Sequence, residues 1–404
     1  MFLSQRQRFM CRHDERLTCA STSAWVLLDR GYRVTILSNA WVNDENRLTS
    51  QIAGALWEYP PAVCGQHTNA ISLAHSKRWC MVAYHIWDAI AASPSLSEET
   101  GVRMMPADFF FPNMVEEDDH ELGKMREIMA SGVRGFYRGS DIIEDRSVDP
   151  DYGAVDAYEI MAPIIDTDKA MYWLTGFVQR KGAKLVTETI NGDLLDREES
   201  LRARFGADVI INCTGLQGYT LAGDKTVYPI RGGLIRVVND GTDFPKVKAA
   251  LTITADAAGD VNEIVFLVPR NDNILLIGGI AQPYESKLDL TLESPIIRRM
   301  RERCENFLPS LTNARLDPDY PFAQGLRPFR ESNVRVEREL RNPKSRVIHS
   351  YGQGGAGWSL SFGCASDVAS LVEEVLAGVP ARGMDERVGD WRRTTSTHQI
   401  RACL

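Results

Sequence analysis

Arg327, in the run Gly325-Leu326-Arg327-Pro328, is the side chain of this sequence best suited to gripping a carboxylate. A guanidinium presents a planar fork of donors and can hold a carboxylate by two parallel hydrogen bonds, fixing position and rotation together. Arg330, in the same stretch, is the better candidate for an ordinary ion pair. Further on, Tyr351–Gly357 reads YGQGGAG just ahead of a stretch rich in small and apolar residues. Gly352, Gly354, Gly355 and Gly357 there would let backbone N–H groups at a helix start face an electron-rich ring or a phosphate. Near the other end of the chain, Ala53-Gly54-Ala55 is followed by Leu56 and Trp57, and such small residues let main chain approach a flat ligand closely. By itself that run reads equally well as a tight turn packed under an aromatic ring.

These features belong to a chain of 404 residues with Lys+Arg 46 against Asp+Glu 54, a net charge of −8. Hydrophobic residues make up 44% and charged residues 25%, ordinary globular values that exclude a collagen-like or wholly disordered chain. The length suits about two or three domains. The acidic balance argues against nonspecific nucleic-acid binding, which needs a basic face. No apolar run approaches the roughly 20 residues that a membrane-spanning helix needs. The cysteines at 11, 19, 64, 80, 213, 304, 364 and 403 include no CxxC pair, and the histidines form no HExxH, so no metal site is expected. Reduced, buried thiols in an intracellular protein are the plain reading. Met1–Arg16 is polar and charged, unlike a secretory signal. The final Ala-Cys-Leu lacks the basic middle residue of a peroxisomal Ser-Lys-Leu address, and the expected location is cytoplasm or peroxisome.

The elements that must position the candidate residues follow from periodicity. Ala24–Arg30 reads as a helix closed by Gly31, and Arg33–Leu37 as a β-branched strand, the second half of a βαβ unit. The first half should be an apolar strand and GxGxxG. Instead Arg8–Asp14 looks too charged for a buried parallel strand, and the glycine positions fall at about Glu15, Leu17 and Ala20. Glu15 would repel a pyrophosphate and Leu17 would occupy its space. Either the grip on a nucleotide has weakened, or the stretch ahead of Ala20 is an artefact such as a wrong exon. Ser72–Ile90 reads as an amphipathic helix, with His85 a core histidine. Met104–Arg146 reads as irregular, with Glu116–His120 a solvated acidic loop. Tyr158–Ile165 leads into a helix over Asp166–Lys181, then a strand over Ala183–Ile190. Ala207–Gly215 (ADVIINCTG) suggests a buried parallel strand whose end meets a ligand crevice. Tyr228–Val238, Glu263–Pro269 and Asn273–Gly279 suggest an antiparallel sheet. Arg298–Phe307 and Trp358–Ala377 read as helices, Arg346–Ser350 as a strand, and Arg382–Leu404 as a loose tail.

Taken in order, AGALW at Ala53–Trp57, INCTG at Ile211–Gly215, RGG at Arg231–Gly233, GLRP at Gly325–Pro328 and YGQGGAGWSLSFGCA at Tyr351–Ala365 resemble the D-amino-acid oxidase family of FAD-dependent oxidoreductases. The resemblance covers about residues 20–380. It implies an α/β fold: a Rossmann-like FAD-binding domain of residues 20–60, 160–225 and 305–380, interleaved with an α+β substrate domain of residues 61–159 and 226–304 containing a mainly antiparallel sheet. Residues 1–19 would be an anomalous N-terminus and 381–404 a tail. FAD would be held by Ala53, Gly54, Ala55, Leu56, Ile190, Thr214, Gly215, Gly352, Gly354, Gly355, Ala356, Gly357, Trp358 and Ser359. Arg327, Phe266 and Gln353 would form the catalytic set, Arg327 gripping the substrate carboxylate. The implied reaction passes hydride from a D-amino acid or related amine to flavin N5, giving an imine and then keto acid and ammonia, with molecular oxygen reduced to hydrogen peroxide. No metal, nucleic acid or membrane partner is implied, and a homodimer stays open.

The departures count equally. The family carries a tyrosine where Phe266 stands and a second where Asn262 stands. Phe266 cannot donate a hydroxyl hydrogen bond, a loss of about 1 kcal/mol, so a more apolar substrate pocket is expected, with simple D-amino acids not preferred. A noncatalytic or FAD-deficient relative is the competing reading. A nicotinamide dehydrogenase would leave GLRP and GGAG unexplained.

Overall fold

The computed structural model describes residues 8–13, 17–61, 67–253 and 264–387. Among them, six strands form one sheet in the order Arg335–Arg338, Val347–Tyr351, Val209–Asn212, Arg8–His13, Arg33–Ser38 and Lys184–Thr187. Neighbours are parallel except the first pair. The fully buried run Val209–Asn212 reads as expected for a strand covered on both faces.

Arg8–His13 corrects the sequence reading. It is the strand between Arg33–Ser38 and Val209–Asn212, with Phe9 opposite both Val34 and Val209. Pairing with two apolar strands outweighs local composition, because strand preference is mostly set by neighbours. The helix that follows runs over Leu17–Asp29, starting well ahead of Ala24. Its first half was obscured by Thr18, Ser21, Thr22 and Ser23, which are buried despite their polarity. The Thr22 hydroxyl donates back to the Thr18 carbonyl, 2.9 Å away, a local way of satisfying a buried hydroxyl in a helix. Leu17 is fully buried in the main core cluster. Glu15 and Asn262 lie outside the described residues, as does the tail beyond residue 387.

The larger sheet has nine strands. Its order is Gln282–Pro283, Val227–Val238, Ile274–Gly278, Val265–Pro269, Ala250–Ile253, Val102–Phe111, Asp156–Ile165 and Tyr137–Arg138, while Phe322–Arg330 pairs with Val227–Val238 off this path. Only Val102–Phe111 with Ala250–Ile253 is parallel. Asp156–Ile165 and Phe322–Arg330 thus run in this sheet, across the domain limits expected from the sequence.

Met104–Arg146 is not irregular. It contains most of Val102–Phe111 and a helix over Asp119–Ser131. The acidic run passes from a short 3-10 turn, Val115–Glu117, into the start of that helix. Asp118 caps it, accepting from the backbone N–H groups of His120 and Glu121, and Asp119 and Glu121 sit in the first turn. Carboxylates are stabilised there by the exposed N–H groups and the helix dipole.

Alternation along the larger sheet gives its faces different work. Val265 and Leu267 face a core sealed by the helix Pro295–Phe307, whose Ile297, Met300, Cys304 and Phe307 recur at helical spacing. Phe266 and Val268 turn to the other side, toward the main core. That core is closed by three helices, Leu17–Asp29, Ala70–Ala91 and Gly357–Leu376. The last two approach so closely at Gly363 that a Cβ there would lie 2.1 Å from Trp79 Cα. Replacing Gly363 by Val is therefore expected to cost about 3 kcal/mol or more, read as a lowered midpoint of urea unfolding, because the obstacle is backbone and cannot rotate away.

Within the smaller sheet, fully buried His349 bridges Asn212 (Nδ1 to Nδ2, 3.2 Å) and Glu339 (Nε2 to Oε2, 3.3 Å). Burial pushes its pKa down from 6.5 to about 4 although Glu339 favours the cation. Between these values the unfolded chain carries a proton that the folded chain lacks. The contribution is complete above pH 6.5 and is lost as the pH falls toward 4. His349→Gln should remove up to about 1.4 kcal/mol per pH unit from the slope of stability against pH in that window, measured by denaturant titration at stepped pH.

Candidate functional site

A cavity of about 540 Å³ is lined from the larger sheet and from the starts of two helices. Thr18 and Cys19 come from the first turn of Leu17–Asp29. Gly355, Gly357, Trp358 and Ser359 come from the entry to Gly357–Leu376. Groups at a helix's first turn have N–H donors without partners inside the helix, which suits an electron-rich ligand.

Ala53, Gly54, Ala55 and Leu56 line the same cavity. Their backbone is fixed from behind by Arg270, which directly follows the strand carrying Phe266. Its guanidinium donates to the carbonyls of Gln51 (2.5 Å) and Ala53 (2.8 Å), and the Thr167 hydroxyl also donates to Gln51 O at 2.5 Å. Arg270 is 2% exposed and is balanced by Asp166 and Asp168, at 3.7 and 3.8 Å. So held, Ala55 takes a left-handed φ of 49°, rare for a residue with a Cβ. Gly54 lies under the Phe266 ring, where a Cβ would fall 2.5 Å from Cε1. Trp358 Nε1 donates to Ser50 O at 3.0 Å, tying the two main-chain walls together.

Arg327 reaches the cavity from Phe322–Arg330. In the pairing with Val227–Val238 it stands opposite Ile230. Period-2 alternation then sends Tyr228, Ile230, Gly232, Gly325, Arg327 and Phe329 to one face, and all of them line the cavity. The guanidinium rests on Gly232, where a Cβ would fall 2.6 Å from Cζ and both Nη atoms, and its Nη1 donates to Ile280 O at 3.0 Å. This gives the RGG run its physical meaning. Arg231 points elsewhere, to Gln282 and Asp289. Arg330 makes the ordinary ion pair, 2.7 Å to Asp224.

Of the residues expected from the sequence, Arg327, Phe266, Ala53, Gly54, Ala55, Leu56, Gly355, Gly357, Trp358 and Ser359 meet in this cavity. Gly352, Gln353, Gly354, Ala356, Ile190, Thr214 and Gly215 are not among its lining. Gln353 is 1% exposed and directs Nε2 to Cys364 Sγ at 3.9 Å, away from any direct catalytic contact. Gly352 and Gly354 turn the loop with φ of 82° and 55°. Thr214, Gly215 and Ile190 follow the carboxyl ends of the parallel strands Val209–Asn212 and Lys184–Thr187, the edge where open parallel sheets take nucleotides. The Thr214 hydroxyl donates to Asn212 Oδ1 at 2.7 Å.

The cavity is mostly apolar but also carries polar side chains. Phe266 does withhold a hydroxyl, but Tyr228 and Tyr158 bring phenols from other strands, and Glu58, Glu121 and Lys124 also line the cavity. Lys124 Nζ lies 3.4 Å from Glu58 Oε1. Burial pushes the Glu58 carboxyl up against the pull of Lys124, whereas the Lys124 ammonium is held above its usual range by Glu58, Tyr158 and Glu121 despite its burial. The sequence hid this group because Glu121 and Lys124 fell in the stretch read as irregular. The i, i+3 spacing of those residues after the Asp118 cap was the available signal. Arg270, whose role depends on carbonyls far away in sequence, left no local signal. Replacing it by Met should lower the unfolding free energy by about 3–5 kcal/mol, measured by urea denaturation, because Asp166 and Asp168 lose a buried partner.

Comparison with known proteins agrees with this arrangement. The family model described as FAD dependent oxidoreductase (DAO) matches residues 20–371, beginning just after the anomalous start. A D-amino-acid oxidase of Streptomyces coelicolor is 29% identical over 353 residues, 87% of this chain and 92% of the relative. Another from Rubrobacter xylanophilus is 27% identical over 358 residues, 88% of this chain and 93% of the relative. Among solved structures, glycine oxidase from Bacillus cereus superposes with a TM-score of 0.67 at 16% identity, covering 93% of this chain and 99% of that one. The L-α-glycerophosphate oxidase of Mycoplasma pneumoniae, solved with FAD bound, superposes at 0.66 and 14% identity, covering 91% and 94%. No helix among the described residues is long and apolar enough to cross a membrane. Nothing in these likenesses supports an FAD-deficient relative, and the chain belongs to the FAD-dependent oxidoreductase family that includes the D-amino-acid oxidases.

Proposed function

We propose that this chain is an FAD-dependent oxidase of a D-amino acid or a related amine, yielding an imine that water converts to a keto acid and ammonia. The observation that carries this reading is Arg327, laid flat on Gly232 in the same cavity as the close main-chain walls. Those walls suit a flat ring. Gly54 is bare because a side chain there would collide with Phe266, and Gly355 and Gly357 bring backbone to the cavity surface. Residues 53–56 with Gly355, Gly357, Trp358 and Ser359 would hold the ring, and Ile190, Thr214 and Gly215 the nucleotide end. Bound FAD supplies the two-electron acceptor for the hydride on the substrate α-carbon, with molecular oxygen the final acceptor.

The protein's own part is to bind, orient and dry the reacting bond. Arg327 fixes the substrate carboxylate by two points, which removes rotation about its long axis. Phe266 and Ile230 exclude water beside it. No side chain need take the α-hydrogen as a proton, since it leaves as hydride from the neutral amine. We place the activity in a reducing compartment, cytoplasm or peroxisome, in keeping with the buried thiols of Cys304 and Cys364.

Arg327→Leu should weaken binding of substrate or of a simple carboxylate inhibitor by roughly 2–5 kcal/mol, with flavin content preserved. The measurement is steady-state kinetics under air beside a flavin spectrum. Unchanged kcat/KM on an acid substrate would remove Arg327 from this role.

A further inference from the structure

The cavity has a second charged region that carboxylate binding does not use. Helix Asp119–Ser131 contributes Glu121 and Lys124, the stretch after Trp57 contributes Glu58, and strand Asp156–Ile165 contributes Tyr158. Their exposure is unequal. The side chains of Glu58 and Glu121 are 21% and 26% exposed, that of Lys124 only 8%. The ammonium lies 3.4 Å from Glu58 and is the least exposed of the three. The cavity therefore meets more of the two carboxylates than of the ammonium. Tyr158 supplies an independent sign. Its ring is clamped by Phe109 and Phe136, with centroids 5.2 and 5.7 Å away, and the residue is 1% exposed. Yet its hydroxyl makes no hydrogen bond among the described residues, although it lines the cavity. A buried phenol normally has a partner, and this one is placed to meet a ligand.

We propose that Glu58, Glu121 and Tyr158 form a subsite for the distal cation of the substrate, with Lys124 as a positioning residue, so that the preferred substrates are amino acids with a terminal ammonium or guanidinium. This rests on the oxidase reading of the same cavity. Arg327 takes the carboxylate, and the second region matches a positive group at the far end of the molecule. A distal carboxylate would instead add a third negative charge beside Glu58 and Glu121.

The test compares kcat/KM of the holoenzyme for D-lysine, D-ornithine, D-norleucine and D-glutamate. A preference for the basic substrates over D-norleucine of about tenfold or more is expected, falling severalfold in Glu58→Gln and in Glu121→Gln, since each removes a charge that pairs with the substrate. Equal efficiency on D-lysine and D-norleucine, or a preference for D-glutamate, would overturn the subsite while leaving the oxidase reading standing. If none of these amines is turned over, the oxidase reading falls, and calorimetry still judges the subsite through ε-aminocaproate and caproate, which differ only in the distal ammonium. Tighter binding of the aminated acid supports the subsite, and equal or weaker binding overturns it. The wild-type pair also decides the matter should either variant fail to fold.

Discussion

The arrangement depends on one guanidinium placed where solvent cannot reach. Arg270 donates to the carbonyls of Gln51 and Ala53, main-chain groups at the end of a short helix where the Thr167 hydroxyl is the other donor. Charged hydrogen bonds of this kind contribute about 1.5–3 kcal/mol each, but only while the charge itself is compensated. Asp166 and Asp168 compensate it, and Asp166 stands where the strand Asp156–Ile165 gives way to a helix. The strand carrying Phe266, the helix after Asp156–Ile165 and the main chain at residues 51–53 are thus joined by an ionic set whose members need each other. The narrow gap between Gly54 and Phe266 is a product of that bond.

From this the roles of the larger sheet follow. Its strands expose one set of side chains to the helix Pro295–Phe307 and the other to the cavity. A shift of one residue in any pairing would exchange the sets. Arg327, Phe266 and Tyr228 face the cavity because three separate registers are kept. Glycine at position 232 then gives the guanidinium a floor, and no other residue could do so without displacing it.

Much of this was legible in the chain. The RGG and GLRP runs, the glycine loop and the long apolar helices are local signals, and Gly232, Arg327, Gly355 and Gly357 from them line one cavity. What was not legible depends on partners distant in sequence. Arg8–His13 looked unfit for a central strand because its own composition says nothing about Val34 and Val209 beside it. Glu116–His120 looked like a solvated loop because acidic residues favour both loops and helix starts, and only the apolar spacing beyond would have decided between them. Arg270 and Tyr158 gave no sign at all, since an arginine after a strand and a tyrosine within one are commonplace. The missing glycines at the first turn were legible as an anomaly, while Leu17 proves to be packed into the core rather than left facing a cleft.

The packing of helix Leu17–Asp29 against helix Gly357–Leu376 has a temporal consequence. One lies near the start of the chain and the other near its end, and both supply walls to the same cavity. During synthesis the first helix leaves the ribosome long before its partner exists. Trp25, buried in the finished molecule, can then meet Trp173 and Phe177 but not Phe362, so its cover is incomplete. Closure of so long a loop makes assembly slow and leaves the nascent chain dependent on transient shelter. Any group that the cavity holds can be seated against both walls only after helix Gly357–Leu376 has been made.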